Sequence, residues 1–255
     1  MSTTVRWGDI RGIVFDAVGT LIEPSPSVSA SYAAAATRQG IDVPLAEIKH
    51  RFRTHFRDDE VDEQLGPMVT SEPCEFRRWR RIVGCVLPEL PDPDRAFREL
   101  WDHFGKPESW RPFADSAPTL QALREAGIPV RIGSNFDARL RGVLAGLPGL
   151  AEADEPPLIS SEVGFRKPHP SFYRAASESL GMPVSAILFV GDDPENDVLG
   201  PVRAGLQGVL VDRGGERPDH LAHLPDLEPI VDFLLEAGSH RMVGRRGDKP
   251  AHSVK

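Results

Sequence analysis

The feature that most constrains this chain is a set of short apolar runs, several halting at a polar residue and alternating with helical patterns. Ile10 to Phe15 (IRGIVF) is β-branched and aromatic and stops at Asp16. Val130 to Gly133 stops at Ser134, Leu158 to Ser160 is a weaker run, Ala186 to Val190 (AILFV) leads into Gly191-Asp192, and Gly208 to Val211 is the last. Runs this short with this composition read as buried strands. Helical patterns lie between them at Ala117 to Ala126, closed by Gly127, at Ser171 to Leu180 and at Pro194 to Ala204. Strands alternating with helices predict an α/β fold, a Rossmann-like, doubly wound parallel sheet with both faces covered.

From residue 24 to residue 110 the strand-like runs disappear. Charge-rich amphipathic segments replace them (Ala30 to Gln39, Leu45 to Phe56, Glu75 to Val86, Asp94 to Phe104), separated by proline-bearing breaks. The reading is an all-α domain, 24–110, inserted into an α/β core formed by residues 1–23 and 111–238. Residues 239–255 are polar and basic without periodicity and are expected to be a disordered tail. A net charge of −8 argues against a nucleic-acid partner, although a local basic pocket on an acidic protein can still hold a small anion. No apolar stretch suits a signal peptide or a membrane span, so the expectation is a cytoplasmic, reduced protein away from membranes. Cys74 and Cys85 fit no metal or redox spacing and are expected to be ordinary buried thiols. Oligomeric state is not legible.

In a doubly wound sheet, ligands collect beyond the carboxyl ends of the strands. The residues expected there are Asp16-Ala17-Val18-Gly19-Thr20, Ser134-Asn135, Arg166-Lys167-Pro168, and Gly191-Asp192-Asp193 with Asp197. Carboxylates, a hydroxyl and an amine from four segments would thus meet on one rim, although Asn135 and Asp193 could equally be helix N-caps. In this order the segments resemble the four motifs of the haloacid dehalogenase superfamily. IVFDAVGTL matches the first, IGSN the second, GFRKPHP the third and GDDPEND the fourth, and the helical insertion resembles that superfamily's mobile cap.

The resemblance implies a hydrolase in which Asp16 attacks an electrophilic centre and forms a covalent aspartyl intermediate. It implies Mg²⁺ held by Asp16, Asp192 and the backbone carbonyl of Val18, hard oxygen donors of the type that ion prefers. Lys167, Ser134, Asn135, Thr20 and Gly19 would bind or neutralise the transferring group of a small phosphorylated substrate, and Asp193 and Asp197 would support the acidic loop.

One position departs from the pattern. The superfamily's phosphatases carry a second Asp two residues after the nucleophile, which protonates the leaving group; here Val18 stands there. The proton transfer so lost is ordinarily worth about 10²–10⁴-fold. Three readings remain open. In one, the chain is a phosphohydrolase acting on a phosphate whose leaving group needs little protonation, such as an acyl or aryl phosphate, or drawing a proton from His50, His55 or Glu23. It could instead be a 2-haloacid dehalogenase, which releases halide without a proton and for which Tyr173 is suggestive, although the acidic Asp192, Asp193 and Asp197 argue otherwise. It could also bind a phosphorylated ligand or a partner without turnover. A phosphonate hydrolase would need a Schiff-base lysine in the insertion, where Lys49 and Lys106 are the only lysines.

Within the insertion, Arg77, Arg78, Arg80 and Arg81 are expected to face solvent for the most part, and residues 57–63 (RDDEVDE) to form a solvated helix face or loop. Phe76, Trp79 and Val83 follow helical spacing and are expected to pack inside the insertion rather than to meet a ligand.

Overall fold

A computed structural model describes residues 3–150, 155–215 and 220–245. Six strands form one sheet: β1 (Gly12–Phe15), β4 (Val130–Ser134), β5 (Leu158–Ile159), β6 (Ile187–Gly191), β7 (Gln207–Val211) and β8 (His223–Leu224). Their spatial order is β5-β4-β1-β6-β7-β8, and every pairing is parallel. The chain builds outward from β1 in one direction, then returns to start the other half at β6. The order reverses between β1 and β6, which is where such sheets open a crevice for ligands.

β1, β6 and β7 are buried along their whole length. Alternate residues face opposite layers. Ile13 and Phe15 pack with α5 (Ser116–Glu125), α6 (Arg139–Ala145) and α10 (Pro229–Arg245), through Leu120, Leu123, Leu140, Val143 and Ile230. Val14 turns to the other side, against Phe172, Tyr173 and Ala176 of α8 (Pro170–Leu180). Two short helices complete the ordered core, α7 (Ser160–Val163) and α9 (Gly200–Arg203).

The chain leaves this core through β2 (Ile22–Pro24) and re-enters through β3 (Trp110–Pro112). The two strands pair antiparallel, with Glu23 opposite Arg111 and ion-paired to it. Between them lie four helices: α1 (Val28–Thr37), α2 (Leu45–Leu65), α3 (Glu72–Val86) and α4 (Pro93–Phe104). The side chain of Ser27 caps α1 and that of Asp92 caps α4, as the sequence pattern of short polar residues before helical runs suggests. Tyr32, Ala35, Ile48, Ile82, Val86, Phe97 and Leu100 form a separate hydrophobic cluster within these helices.

Several local expectations are corrected. Residues 57–63 continue α2, but not as a fully solvated face: Asp59 is buried and Glu60 half-buried. Arg78 alone of the arginine cluster turns inward, with 5% of its side chain exposed, while Arg80 pairs with Asp94 at the surface. The reason is charge matching across helices, which single-helix periodicity does not reveal. Arg78 pairs with Asp59 through Nε, and its Nη2 donates to Glu60 Oε1 at 2.5 Å. The backbone is helical through Arg245, so the stretch from 239 begins as helix rather than disorder, each added residue bringing one more hydrogen bond to an established helix. The remainder of the expected tail, 246–255, lies outside the described residues. Pro194–Leu199 is a π-helical turn preceding α9 rather than part of one α-helix, and Ser160 opens α7 instead of closing β5. Cys85 is exposed and Cys74 half-buried, so neither is the buried thiol expected.

Buried charges tie the insertion to the core. Arg166, next to Lys167 in sequence, donates to Glu75 Oε1 at 2.5 Å and to Glu60 Oε1 at 2.8 Å. Glu72 at the start of α3 accepts from the backbone N–H of Ala138 at 2.9 Å and from the hydroxyl of Ser161. Removing one partner from a buried ionic network leaves uncompensated charge, at a cost of about 3 kcal/mol. Arg78→Met is therefore expected to lower the midpoint of thermal unfolding by roughly 6–12 °C, measured by circular dichroism. An unchanged midpoint would show that the network contributes nothing to stability.

Candidate active site

Asp16 directly follows β1, its backbone N–H held by Val190 O of the neighbouring β6 at 2.8 Å. This parallel pairing sets the end of β1 beside Gly191 and Asp192. The turn after Asp16 is tight: Leu21 and Ile22 both donate backbone N–H to Ala17 O. Gly19 stands within it at φ +88°, and a Cβ there would lie 2.2 Å from Asp192 Oδ2, so both backbone conformation and space exclude a larger residue.

Lys167 occupies the centre of the rim. Its Nζ lies 2.7 Å from Asp16 Oδ1, 2.7 Å from Asp197 Oδ1 and 3.3 Å from Gly133 O, and 5.1 Å from the centre of the Phe189 ring. Asn135 fixes the lysine backbone from both sides, accepting from Lys167 N at 2.7 Å and donating to Lys167 O at 3.0 Å. Asn135 thus acts on Lys167 directly, a role its position after β4 did not disclose. Ser134 closes β4, buried and facing the same cavity.

The acidic loop after β6 is organised by its own hydrogen bonds. Asp193 caps the π-helical turn, accepting from Glu195 N at 2.9 Å and Asn196 N at 2.7 Å. Its own N–H donates to Asp197 Oδ2 at 3.0 Å. Gly191 passes so close that a Cβ there would lie 2.1 Å from Asp197 Oδ2. The Thr20 hydroxyl donates to Asp192 Oδ1 at 3.3 Å, so it orients that carboxylate. All four predicted segments therefore meet at one edge.

The electrostatics follow from burial and crowding. Burial alone would pull the Lys167 ammonium down, but the carboxylates of Asp16 and Asp197 outweigh it and hold the pKa above the usual lysine range. Burial pushes the Asp197 carboxyl up to about 7, opposed by Lys167 and assisted by Asp16. Asp192 opens onto the cavity, yet the surrounding protein and the charges of Asp16, Asp197 and Asp193 raise it well above the normal carboxylate range. Oxygen atoms of Asp16, Asp192 and Asp197 lie within 4.8 Å of one another. Three carboxylates against one ammonium leave excess negative charge. A hard divalent cation with oxygen preference fits both the donor set and this imbalance.

Beyond the rim, the insertion and the core enclose a cavity of about 350 Å³. Asp16, Val18, Ser134, Asn135, Lys167, Asp192, Asp193 and Asp197 form one end of it. Trp79 and Val83 line its wall while also packing on the insertion's own cluster, so the helix face expected to be purely internal serves both purposes. Helical spacing cannot tell these two roles apart. Neither His50, His55 nor Glu23 lines the cavity; Glu23 is held by Arg111 on the β2–β3 ribbon. Lys49 and Lys106 are absent from its lining as well. Tyr173 is fully buried behind the acidic loop, donating to Asn196 O at 2.6 Å.

Comparison with known proteins agrees with this geometry. A family model described as haloacid dehalogenase-like hydrolase matches residues 10–205. The chain is 36% identical to a phosphoserine phosphatase of Thermus thermophilus, over 88% of this chain and 98% of the relative. It is 28% identical to the haloacid dehalogenase-like hydrolase domain-containing protein 3 of Danio rerio, over 92% and 96%. Among solved structures, an L-2-haloacid dehalogenase from Xanthobacter autotrophicus superposes with a TM-score of 0.68 at 20% identity, covering 89% of this chain and 98% of that one, a likeness of fold. A match to the family model across most of the chain, with its four motifs assembled at one sheet edge, places this protein in the haloacid dehalogenase-like hydrolase family.

Proposed function

We propose that the chain is a Mg²⁺-dependent phosphohydrolase of small phosphorylated molecules, with Asp16 as the nucleophile. The observation that carries this reading is the Lys167 ammonium bridging Asp16 and Asp197, with the Asp192 carboxylate within the same 4.8 Å cluster. The Thermus relative's name, a phosphoserine phosphatase, and the full acidic loop support phosphoryl rather than halide chemistry.

Lys167 engages Asp16 Oδ1, so the other carboxylate oxygen is the one to attack phosphorus. The ammonium also offsets charge on the phosphoryl group, and Ser134, together with backbone N–H groups of the turn after Asp16, would donate to its oxygens. Asp16, Asp192 and the carbonyl of Val18 would hold Mg²⁺, which when bound neutralises phosphoryl charge. Val18 supplies no proton. Among the described residues lining the cavity, Asp16 and Asp197 are committed to Lys167, Asp193 to a helix cap and Glu60 to arginines, and Asp192 would be taken up by the metal, so the leaving group departs with little protonation.

Asp16→Asn keeps the shape and removes the nucleophile; phosphate release from para-nitrophenyl phosphate should fall at least about 10³-fold, to the level of residual binding effects. Turnover that survives in this variant would overturn the covalent reading. Chelation by EDTA should abolish phosphate release, and added Mg²⁺ should restore it. Gly19→Ala should displace the Asp192 carboxyl and weaken binding of Mn²⁺, used as a probe ion, by about 10–100-fold in a titration. Unaltered Mn²⁺ affinity would argue that Asp192 does not ligate the ion.

A further inference from the structure

The cavity has a chemical character that the rim residues do not explain. Nine aromatic side chains line it among the described residues, including Phe52, Phe56, Trp79, Trp101, Trp110 and Phe136. They touch in series. Phe52 stacks on Phe56 with ring centres 5.6 Å apart, Phe56 lies 6.0 Å from Trp79, and Trp110 meets Phe136 edge to face at 5.9 Å. Three arginines reach the same space, and each is already matched. Arg78 pairs with Asp59 and Glu60, Arg166 with Glu60 and Glu75, and Arg139 with Asp137 while lying 3.3 Å over the Trp101 ring.

We propose that this cavity is a leaving-group subsite for an aromatic ring, and that the substrates are phosphate monoesters of phenols. The inference rests on the phosphohydrolase reading above and narrows it. Two independent observations converge on it. The wall offers π-faces and edges at the spacing in which rings stack or meet edge-on, and it offers no uncommitted charge for a polar substrate. Val18, two residues after the nucleophile, lines the same cavity and has no proton to give. A phenolic oxygen tolerates that loss, since a phenol ionises near pH 10, as tyrosine does, whereas an aliphatic alcohol ionises far less readily.

The chemistry balances without a further reactant. Asp16 attacks phosphorus, the P–O(aryl) bond breaks, and its electron pair leaves on the phenolate oxygen, which takes a proton from water. Water then cleaves the aspartyl phosphate, giving phosphate and the free carboxylate. A substrate such as O-phosphoserine would instead press an ammonium and a carboxylate against aromatic rings, with the nearby arginines already paired, an arrangement that costs desolvation without compensation.

The test uses the full chain with Mg²⁺ and has two arms. Calorimetric titration compares phenylphosphonate with methylphosphonate, neither of which turns over. Phenylphosphonate should bind at least about tenfold tighter, since even one methylene in an apolar pocket is worth ~10-fold or more. In the second arm, kcat/KM for phenyl phosphate should exceed that for O-phosphoserine and glycerol 2-phosphate by at least about tenfold. Benzyl phosphate should share the KM of phenyl phosphate but lose kcat, because its leaving group is an alkoxide. Trp79→Leu should erase the phenylphosphonate preference while leaving methylphosphonate affinity within about twofold. Equal affinity for the two phosphonates, or a preference for O-phosphoserine, overturns the subsite. No phosphate release from any ester, alongside tight phenylphosphonate binding, overturns the hydrolase reading and leaves the subsite standing.

Discussion

The arrangement depends first on one buried cation. Without the Lys167 ammonium, Asp16, Asp192 and Asp197 would be three carboxylates crowded at the end of a buried sheet, and their mutual repulsion would keep them apart or protonated. The lysine is held there by more than charge. Asn135 fixes its backbone, the Gly133 carbonyl accepts a hydrogen bond from its Nζ, and the pairing of β1 with β4 and β6 brings the strand ends together. Sheet topology, hydrogen bonding and charge thus converge on a single side chain.

A second layer of charge joins the helical insertion to the core. Arg166 is the residue before Lys167, and its guanidinium reaches Glu60 and Glu75 on two different helices of the insertion. The loop between those helices adds backbone contacts, with Thr70 N donating to Gly164 O and Arg166 N to Met68 O. The segment that presents Lys167 to the rim is therefore the same one that docks the insertion. This explains how the aromatic wall is brought over the carboxylates.

Much of the site was legible in the sequence because its parts lie at strand ends, where an apolar run stops at a polar residue. Asp16, Ser134 and Asp192 each follow that rule. Lys167 and Asp197 do not end strands, and only the resemblance to a family pattern singled them out. The interior of the insertion was less legible. Arg78, Asp59 and Glu60 look like surface charges on one helix, and their burial follows only from their meeting across helices and with Arg166. The double role of Trp79 was hidden for a related reason: an apolar stripe with helical spacing marks the inward face of a helix, but not whether that face meets other side chains or an open cavity.

The enclosed state of Lys167 also decides what this side chain cannot do. An amine held as ammonium above its ordinary range, with its protons directed to two carboxylates and a carbonyl, has no lone pair to offer a carbonyl compound. Imine formation, acylation and carbamylation all begin with that lone pair. Lys167 is therefore a fixed positive charge rather than a nucleophile, and reagents that label exposed lysines will pass it by.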